Sequence, residues 1–204
     1  MLLSVSNLTV VRAGFPVLAG LSFELEAGQA LFLRGRNGVG KTTLLRCIAG
    51  LQPAGAGQIK ISVDSVAYSG HADGVKLQLT VVENLRFWAD VFGTSHLESV
   101  LHALDLAGLA HRLAGNLSAG QRRRLGLARM LLSNCTLWLF DEPTVSLDKA
   151  SERLFAAVLR QHLNVQGAVL IATHTDINIP AEQLQLDAYC ADFTVPKAFD
   201  EAFL

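Results

Sequence analysis

The stretch Ala30-Leu31-Phe32-Leu33-Arg34-Gly35-Arg36-Asn37-Gly38-Val39-Gly40-Lys41-Thr42-Thr43 constrains this chain more than any other. A short apolar run reads as a buried strand and feeds a loop of the form Gly-x4-Gly-Lys-Thr. After it, Leu44, Leu45 and Ile48 fall on one face of a helix that Gly50 is placed to stop. Glycines let the backbone turn sharply and aim its N–H groups inward, and a helix opening near Lys41 adds the positive end of its dipole to the same spot. The reading is a phosphate-binding loop made of Gly35, Arg36, Asn37, Gly38, Val39, Gly40, Lys41, Thr42 and Thr43. Lys41 is expected to reach the β- and γ-phosphates, and Thr42 to offer its hydroxyl to Mg²⁺, a hard cation that prefers oxygen. The plain alternative is a Gly-rich strand-to-helix turn with an incidental lysine.

Around this loop the chain alternates in character. Leu2 to Val11 and Val17 to Leu25 are β-prone and partly alternating, with Gly14 and Pro16 between them, which predicts an antiparallel hairpin or meander. Past the turn from Pro53 to Gly57, Gln58-Ile59-Lys60-Ile61-Ser62-Val63 alternates as a half-buried strand does. The middle third is helical and carries capping boxes, Thr80 with Glu83 and Ser95 with Glu98. Leu85, Trp88, Ala89 and Phe92 form one stripe there, and Leu97, Val100, Leu101 and Leu104 another. Phe87, Trp88 and Phe92 read mostly as core of a small helical subdomain, with room for one or two to face a partner.

Composition narrows the function classes. Half the residues are hydrophobic and 17% charged, which suits a sheet buried on both faces together with a docking surface. The 204 residues show no obvious linker and read as one domain. No apolar run reaches the roughly 18 residues of a membrane span, since Arg129 and Asn134 interrupt the longest candidate. The first residues lack a secretory pattern, and Cys47, Cys135 and Cys190 form neither a disulfide framework nor a metal-ligand spacing, so a reducing cytoplasm fits. A net charge of −1 argues against a broad electrostatic grip on nucleic acid.

Two further sites carry chemistry. Ser118 with Gln121 makes another capping box, so a helix opens at Ser118-Ala119-Gly120-Gln121 with accessible N–H groups, an anion site in waiting. Arg122 to Arg124 follow and read as a solvated helix face. Thr136 to Phe140 is a hydrophobic strand ending in Asp141-Glu142-Pro143, which sets two carboxylates at the strand edge where open α/β sheets bind ligands. Asp141 is suited to holding Mg²⁺, and Glu142 to polarising a water that attacks the γ-phosphate. Ser146-Leu147-Asp148 precedes an amphipathic helix with Leu154, Phe155, Val158 and Leu159 on one face. Ala168 to Ala172 is another buried strand, and it ends at His174, a candidate γ-phosphate sensor aimed at the same edge. Beyond Ile179 the pattern weakens and the chain reads as a tail.

These motifs, in this order and at these intervals, resemble the ATP-binding cassette family over nearly the whole chain up to about His174. The resemblance takes in a Walker A loop at Gly35 to Thr42, a signature Leu117-Ser118-Ala119-Gly120-Gln121, a Walker B strand at Leu137 to Asp141 and a D-loop at Ser146-Leu147-Asp148. It implies an α/β fold with a P-loop NTPase (RecA-like) core sheet, an N-terminal antiparallel β subdomain and a small inserted helical subdomain at about residues 76–133. It also implies an ATPase that uses ATP and Mg²⁺, with Glu142, His174 and Lys41 catalytic and Thr42 and Asp141 at the metal. Two cassettes are expected to close head to tail, so that Ser118, Ala119, Gly120 and Gln121 of one contact the ATP of the other.

Within the family, the small size and the stretch Tyr68 to Lys76 followed by Leu79 to Phe87 resemble the ATP-binding subunits of cytochrome c maturation (heme exporter) systems. Such a subunit sits peripherally on the cytoplasmic face of the inner membrane, docked on integral membrane transporter subunits, and works in heme handling or heme-chaperone release. The chain has no Cys-x-x-Cys-His, so c-type heme does not attach to it. His71 stands at the Q-loop position usually held by glutamine, with Ala72 after it. Arg12 stands where many cassettes place an adenine-stacking aromatic, and either its guanidinium plane or nearby Phe15 is a candidate for that stacking. The alternatives are a cassette serving another small-molecule exporter, and a non-transport cassette acting as a nucleotide-switched scaffold.

Overall fold

Apolar side chains at successive positions of three strands require a sheet covered on both faces. A computed structural model describes residues 1–63 and 65–191 of the chain. In chain order its elements are β1 (Leu3–Arg12), β2 (Phe15–Leu25), β3 (Ala30–Arg34), α1 (Lys41–Ile48), β4 (Ala56–Ile61), β5 (Val66–Ser69), α2 (Val81–Phe92), α3 (Leu97–Ala103), α4 (Ala119–Leu132), β6 (Leu137–Asp141), α5 (Lys149–Asn164), β7 (Ala168–Ala172) and β8 (Glu182–Gln185). Among the described residues the strands form two sheets, an antiparallel one in the order β2-β1-β4 and a parallel one in the order β5-β6-β7-β3-β8.

The period of two sorts the apolar runs to opposite faces of the parallel sheet. Leu31, Leu33, Leu137, Leu139 and Leu170 pack beneath α1 and the antiparallel sheet. Phe32, Trp138, Phe140, Val169 and Ile171 face the other way, into a core shared with α2 to α5. Burying each such side chain contributes roughly 1.5–3 kcal/mol relative to exposure, which is why these strands dispense with polar alternation. The hairpin β1–β2 turns at Ala13-Gly14 with φ of 50° and 85°. Two consecutive positive φ values match the right-handed twist of the flanking strands and keep Arg12 opposite Phe15.

Helix ends follow their local chemistry with one exception. Thr80 and Glu83 form the reciprocal box that opens α2, and Ser118 and Gln121 the one that opens α4. Gly50 takes a left-handed φ of 71° just past α1, and the N–H of Leu51 reaches back to Arg46 O at 2.9 Å. The expected box of Ser95 with Glu98 does not form. Helix α3 starts at Leu97, which makes His96 and not Ser95 the N-cap; Thr94 Oγ1 accepts the His96 N–H and Ser99 Oγ donates to His96 O.

Two other expectations change. Residues 180–191 of the expected tail are structured, since β8 adds to the edge of β3 and a 3₁₀ turn at Leu186–Tyr189 buries Leu186 completely; the rest of that stretch, 192–204, lies outside the described residues. Its short, mostly polar strand borders the sheet on one side only, so no apolar run announces it. Phe87 and Phe92 lie at the surface, 43% and 36% exposed, while Trp88 packs partly against the core.

Candidate functional site

Parallel neighbours end at the same edge, so the order β6-β7-β3 delivers three strand termini side by side. From β3 the chain enters the loop 35–40, from β6 it reaches Asp141 and Glu142, and from β7 it reaches Thr173 and His174. Between these termini lies a cleft of about 580 Å³.

The loop owes its path to glycine. Gly40 closes it with φ 115°, a conformation that disfavours any side chain, and a Cβ there would stand a tight 3.1 Å from Val17 Cγ2. Among the described residues no side chain caps α1. Its first N–H groups are therefore left to a ligand, in the field of the helix dipole. Lys41 is buried beneath the loop, where Nζ donates to Gly35 O at 2.7 Å and stands 2.8 Å from His174 Nε2. An ammonium has donors only, so the histidine nitrogen is the acceptor of that contact.

The carboxylates sit in unlike surroundings. Asp141 is 1% exposed, and among the described residues its Oδ2 has no hydrogen-bond partner. The nearest cation candidate, His71 Nε2, is 3.8 Å away on a side chain 66% exposed. Thr42 lines the same cleft, so a hydroxyl and a carboxylate with an unused oxygen face one space, a donor set that fits a hard divalent cation. Glu142 adopts a left-handed φ of 49°, rare for a non-glycine residue, and its N–H is held by Ala172 O at 2.8 Å. Its Oε1 lies 3.5 Å from His174 Nε2, and its Oε2 accepts the His174 backbone N–H at 3.4 Å. Lys41, His174 and Glu142 thus make one continuous chain of contacts across the cleft.

Arg12 lines the cleft, whereas its hairpin partner Phe15 is 47% exposed at the surface. Asn37, Gly38, Thr43 and His71 also border the cleft. Ser118, Ala119, Gly120 and Gln121 do not. Ser118 Oγ accepts the Gln121 N–H at 3.2 Å and Ser118 N–H donates to Gln121 Oε1 at 3.0 Å, on an exposed helix start beside Ser146. Asp148 caps α5, and the Ser151 N–H that it accepts holds its carboxyl below the usual range.

Arg122 to Arg124 do not form a solvated face. Arg123 and Arg124 are 5% and 9% exposed, because α4 runs between the helical layer and the loop after β5. Arg124 donates to Leu104 O and Asp105 O at the end of α3, satisfying carbonyls that the helix leaves open. Arg123 reaches the turn at Glu142 and the loop of His71. The signal for this was available: three arginines in the first turns of a helix oppose its dipole, so something else must hold them. Asp187 was hidden in the supposed tail, and its Oδ1 accepts the Arg36 N–H at 3.4 Å from behind the phosphate loop.

Comparison with known proteins places this geometry. Residues 18–145 match the ABC transporter family. The cytochrome c biogenesis ATP-binding export protein CcmA of Paracoccus denitrificans is 53% identical, with 99% of each chain covered. The protein of the same name from Roseobacter denitrificans is 54% identical over 100% of both. Among solved structures, a putative ABC transporter (ATP-binding protein) from Pyrococcus furiosus superposes with a TM-score of 0.83 at 25% identity, covering 94% of this chain and 100% of that one. A putative metal-chelate type ABC transporter in an inward-facing conformation gives 0.76 at 28% identity, covering 91% and 79%. The fold is that of the P-loop NTPases, the protein is an ATPase, and the chain belongs to the ABC transporter family.

Proposed function

We propose that the chain is the ATP-hydrolysing subunit of a membrane export complex serving cytochrome c biogenesis, with heme handling or heme-chaperone release as its work. The observation that carries the reading is the convergence of Lys41, Asp141, Glu142 and His174 on one cleft, in a chain alike end to end to CcmA proteins. ATP enters with its phosphates over the loop 35–40, where backbone N–H groups and Lys41 meet their charge. Lys41 then exchanges its contact with Gly35 O for phosphate oxygen. Thr42 and Asp141 would hold Mg²⁺, which supplies charge neutralisation on the phosphates. Glu142, held by Ala172 on one side and by the His174 N–H on the other, orients a water for in-line attack and takes its proton. His174, between Lys41 and Glu142, is positioned to report the γ-phosphate.

The signature Ser118 to Gln121 lies outside its own cleft, with its capped helix end open to solvent. A second copy closing head to tail brings that end to the nucleotide, and loss of γ-phosphate charge on hydrolysis then releases it. The membrane subunits are taken to dock at the depression of about 180 Å³ between β5, α2 and α4, bordered by Tyr68, Trp88, Phe92 and Met130 and flanked by exposed Phe87. No helix among the described residues is long and apolar enough to cross a membrane. We place the protein peripherally on the cytoplasmic face, where ATP is supplied. One domain with a helical insertion near residues 76–133 suits this division between catalysis and docking.

Glu142→Gln tests the reading. ATP binding is expected to persist while turnover falls by roughly 10²–10⁴-fold, the usual share of a positioned base. Unchanged turnover overturns the assignment of Glu142. The same variant, locked with ATP and taken from gently solubilised native membranes, is expected to carry cytochrome c maturation membrane subunits with it by mass spectrometry. An unrelated permease in their place overturns the biogenesis role.

A further inference from the structure

The geometry points to Arg123 as a positioning residue that clamps the His71 loop and the Glu142 turn into one unit and ties both to helix α4. Its side chain is 6% exposed and lies within reach of acceptors from two separate segments. Nε donates to Pro143 O at 3.0 Å and Nη2 to Glu142 O at 2.9 Å. Nη1 donates to Asp73 Oδ1 at 2.8 Å and lies 3.3 Å from Gly70 O. The two edges of one planar guanidinium are thus divided between the segment after β6 and the segment after β5. A lysine ammonium is a point charge on a flexible stem and cannot span both with fixed geometry.

Two features of this chain give the clamp its purpose. Glu142 sits in a left-handed conformation that persists only if its surroundings over-determine it. Arg123 grips the carbonyls of Glu142 and of the next residue, so it fixes the direction in which the Glu142 side chain leaves the backbone. The loop at 70–73, for its part, carries His71 exposed at the cleft. Arg123 anchors that loop from below, through Asp73 and the Gly70 carbonyl, and so holds His71 at the mouth of the cleft. Because Arg123 lies on the helix that Ser118 opens, it ties the signature end to the Glu142 turn.

The kinetic consequence rests on Glu142 as the base, but the clamp itself does not, and the test separates the two. In the full-length protein, Arg123→Gln is expected to lower kcat by about 10- to 100-fold while KM for MgATP stays within about 3-fold, the signature of a misplaced group and not of lost binding. Arg123→Lys is expected to recover only part of the rate, since it restores charge without the fork. A kcat within about 2-fold of the parent, or a KM that moves as far as kcat, overturns the assignment. If Arg123→Gln fails to fold, Asp73→Ala serves, with hydrogen–deuterium exchange as readout. Exchange is expected to rise at 142–146 as well as at 70–75, because the Asp73 carboxylate is joined to the Glu142 turn through Arg123. A rise confined to 70–75 overturns the clamp. Full turnover in Glu142→Gln would remove the base and leave the exchange result standing.

Discussion

Asn84 uses both ends of its amide on backbone groups of the segment before α2. Its Oδ1 accepts the Lys76 N–H at 2.8 Å, and its Nδ2 donates to Lys76 O at 3.0 Å and Thr80 O at 2.9 Å, all at 4% exposure. Without it the Lys76 N–H loses this partner, while Lys76 O and Thr80 O keep the backbone N–H groups of Leu79 and Asn84. Asn84→Leu, similar in volume and unable to bond, is expected to cost about 1–3 kcal/mol, the range for one stranded polar group. Urea denaturation checks this: the midpoint should fall at an unchanged slope. The residue reads in the sequence as an unremarked polar position on a helix. Only the path of the neighbouring loop turns it into a fastener.

Helix α4 gathers more of the molecule's business than any other element. It starts at the signature, sends Arg123 to the Glu142 turn and Arg124 to the end of α3, and presses Gly126 against the loop of His71. A Cβ at Gly126 would stand 2.8 Å from Asp73 Cβ and 2.9 Å from Asp73 O. Helix propensity favours Gly126→Ala by about 1 kcal/mol, whereas overpacking against backbone costs about 1–3 kcal/mol. The clash wins, and a lower Tm is the expected result of calorimetry on Gly126→Ala. A higher Tm would mean that the loop yields freely. Helix chemistry alone points the other way here, because the forbidden contact comes from 53 positions earlier in the chain.

At the scale of the whole molecule, the core shared by β6, β7 and α5 makes stability depend on pH. His162 stacks on Trp138 with ring centroids 3.6 Å apart and planes 6° from parallel, and Nε2 donates to Thr136 O at 3.0 Å. Gly167 leaves room for the ring, as a Cβ there would lie 2.2 Å from Nε2. Burial pulls the imidazole below its ordinary pKa, outweighing the Thr136 and Ala168 backbone bonds that act in the opposite sense. Below about pH 6.5 the unfolded chain therefore binds a proton that the folded one resists, and stability falls as pH falls through that value. Thermal melts between about pH 7.5 and 5.5 should show Tm declining toward acid, with a shallower decline in His162→Gln. Equal slopes in the two proteins would assign the acid sensitivity elsewhere.

Much of this was legible in the residues themselves. Local rules sufficed for the phosphate loop, the buried strands, two of the three capping boxes and the carboxylates after β6. Each of these depends on spacing within a few positions: glycine at a turn, an apolar pair on opposite faces, a side-chain oxygen three residues from an N–H. The order of the parallel strands then carried Lys41, Asp141, Glu142 and His174 to one edge, as that order must. What the tertiary structure alone decided involved partners distant in the chain. Arg123 and Arg124 went inward because loops from elsewhere supply carbonyls that outbid water. The polar strand β8 formed because β3 had an open edge for it. Phe87 and Phe92 stayed outside because α2 buries the face that carries Val81, Leu85 and Ala89. A sequence states what each residue can bond. Which groups come within reach of that bond is decided by the packing of the whole chain.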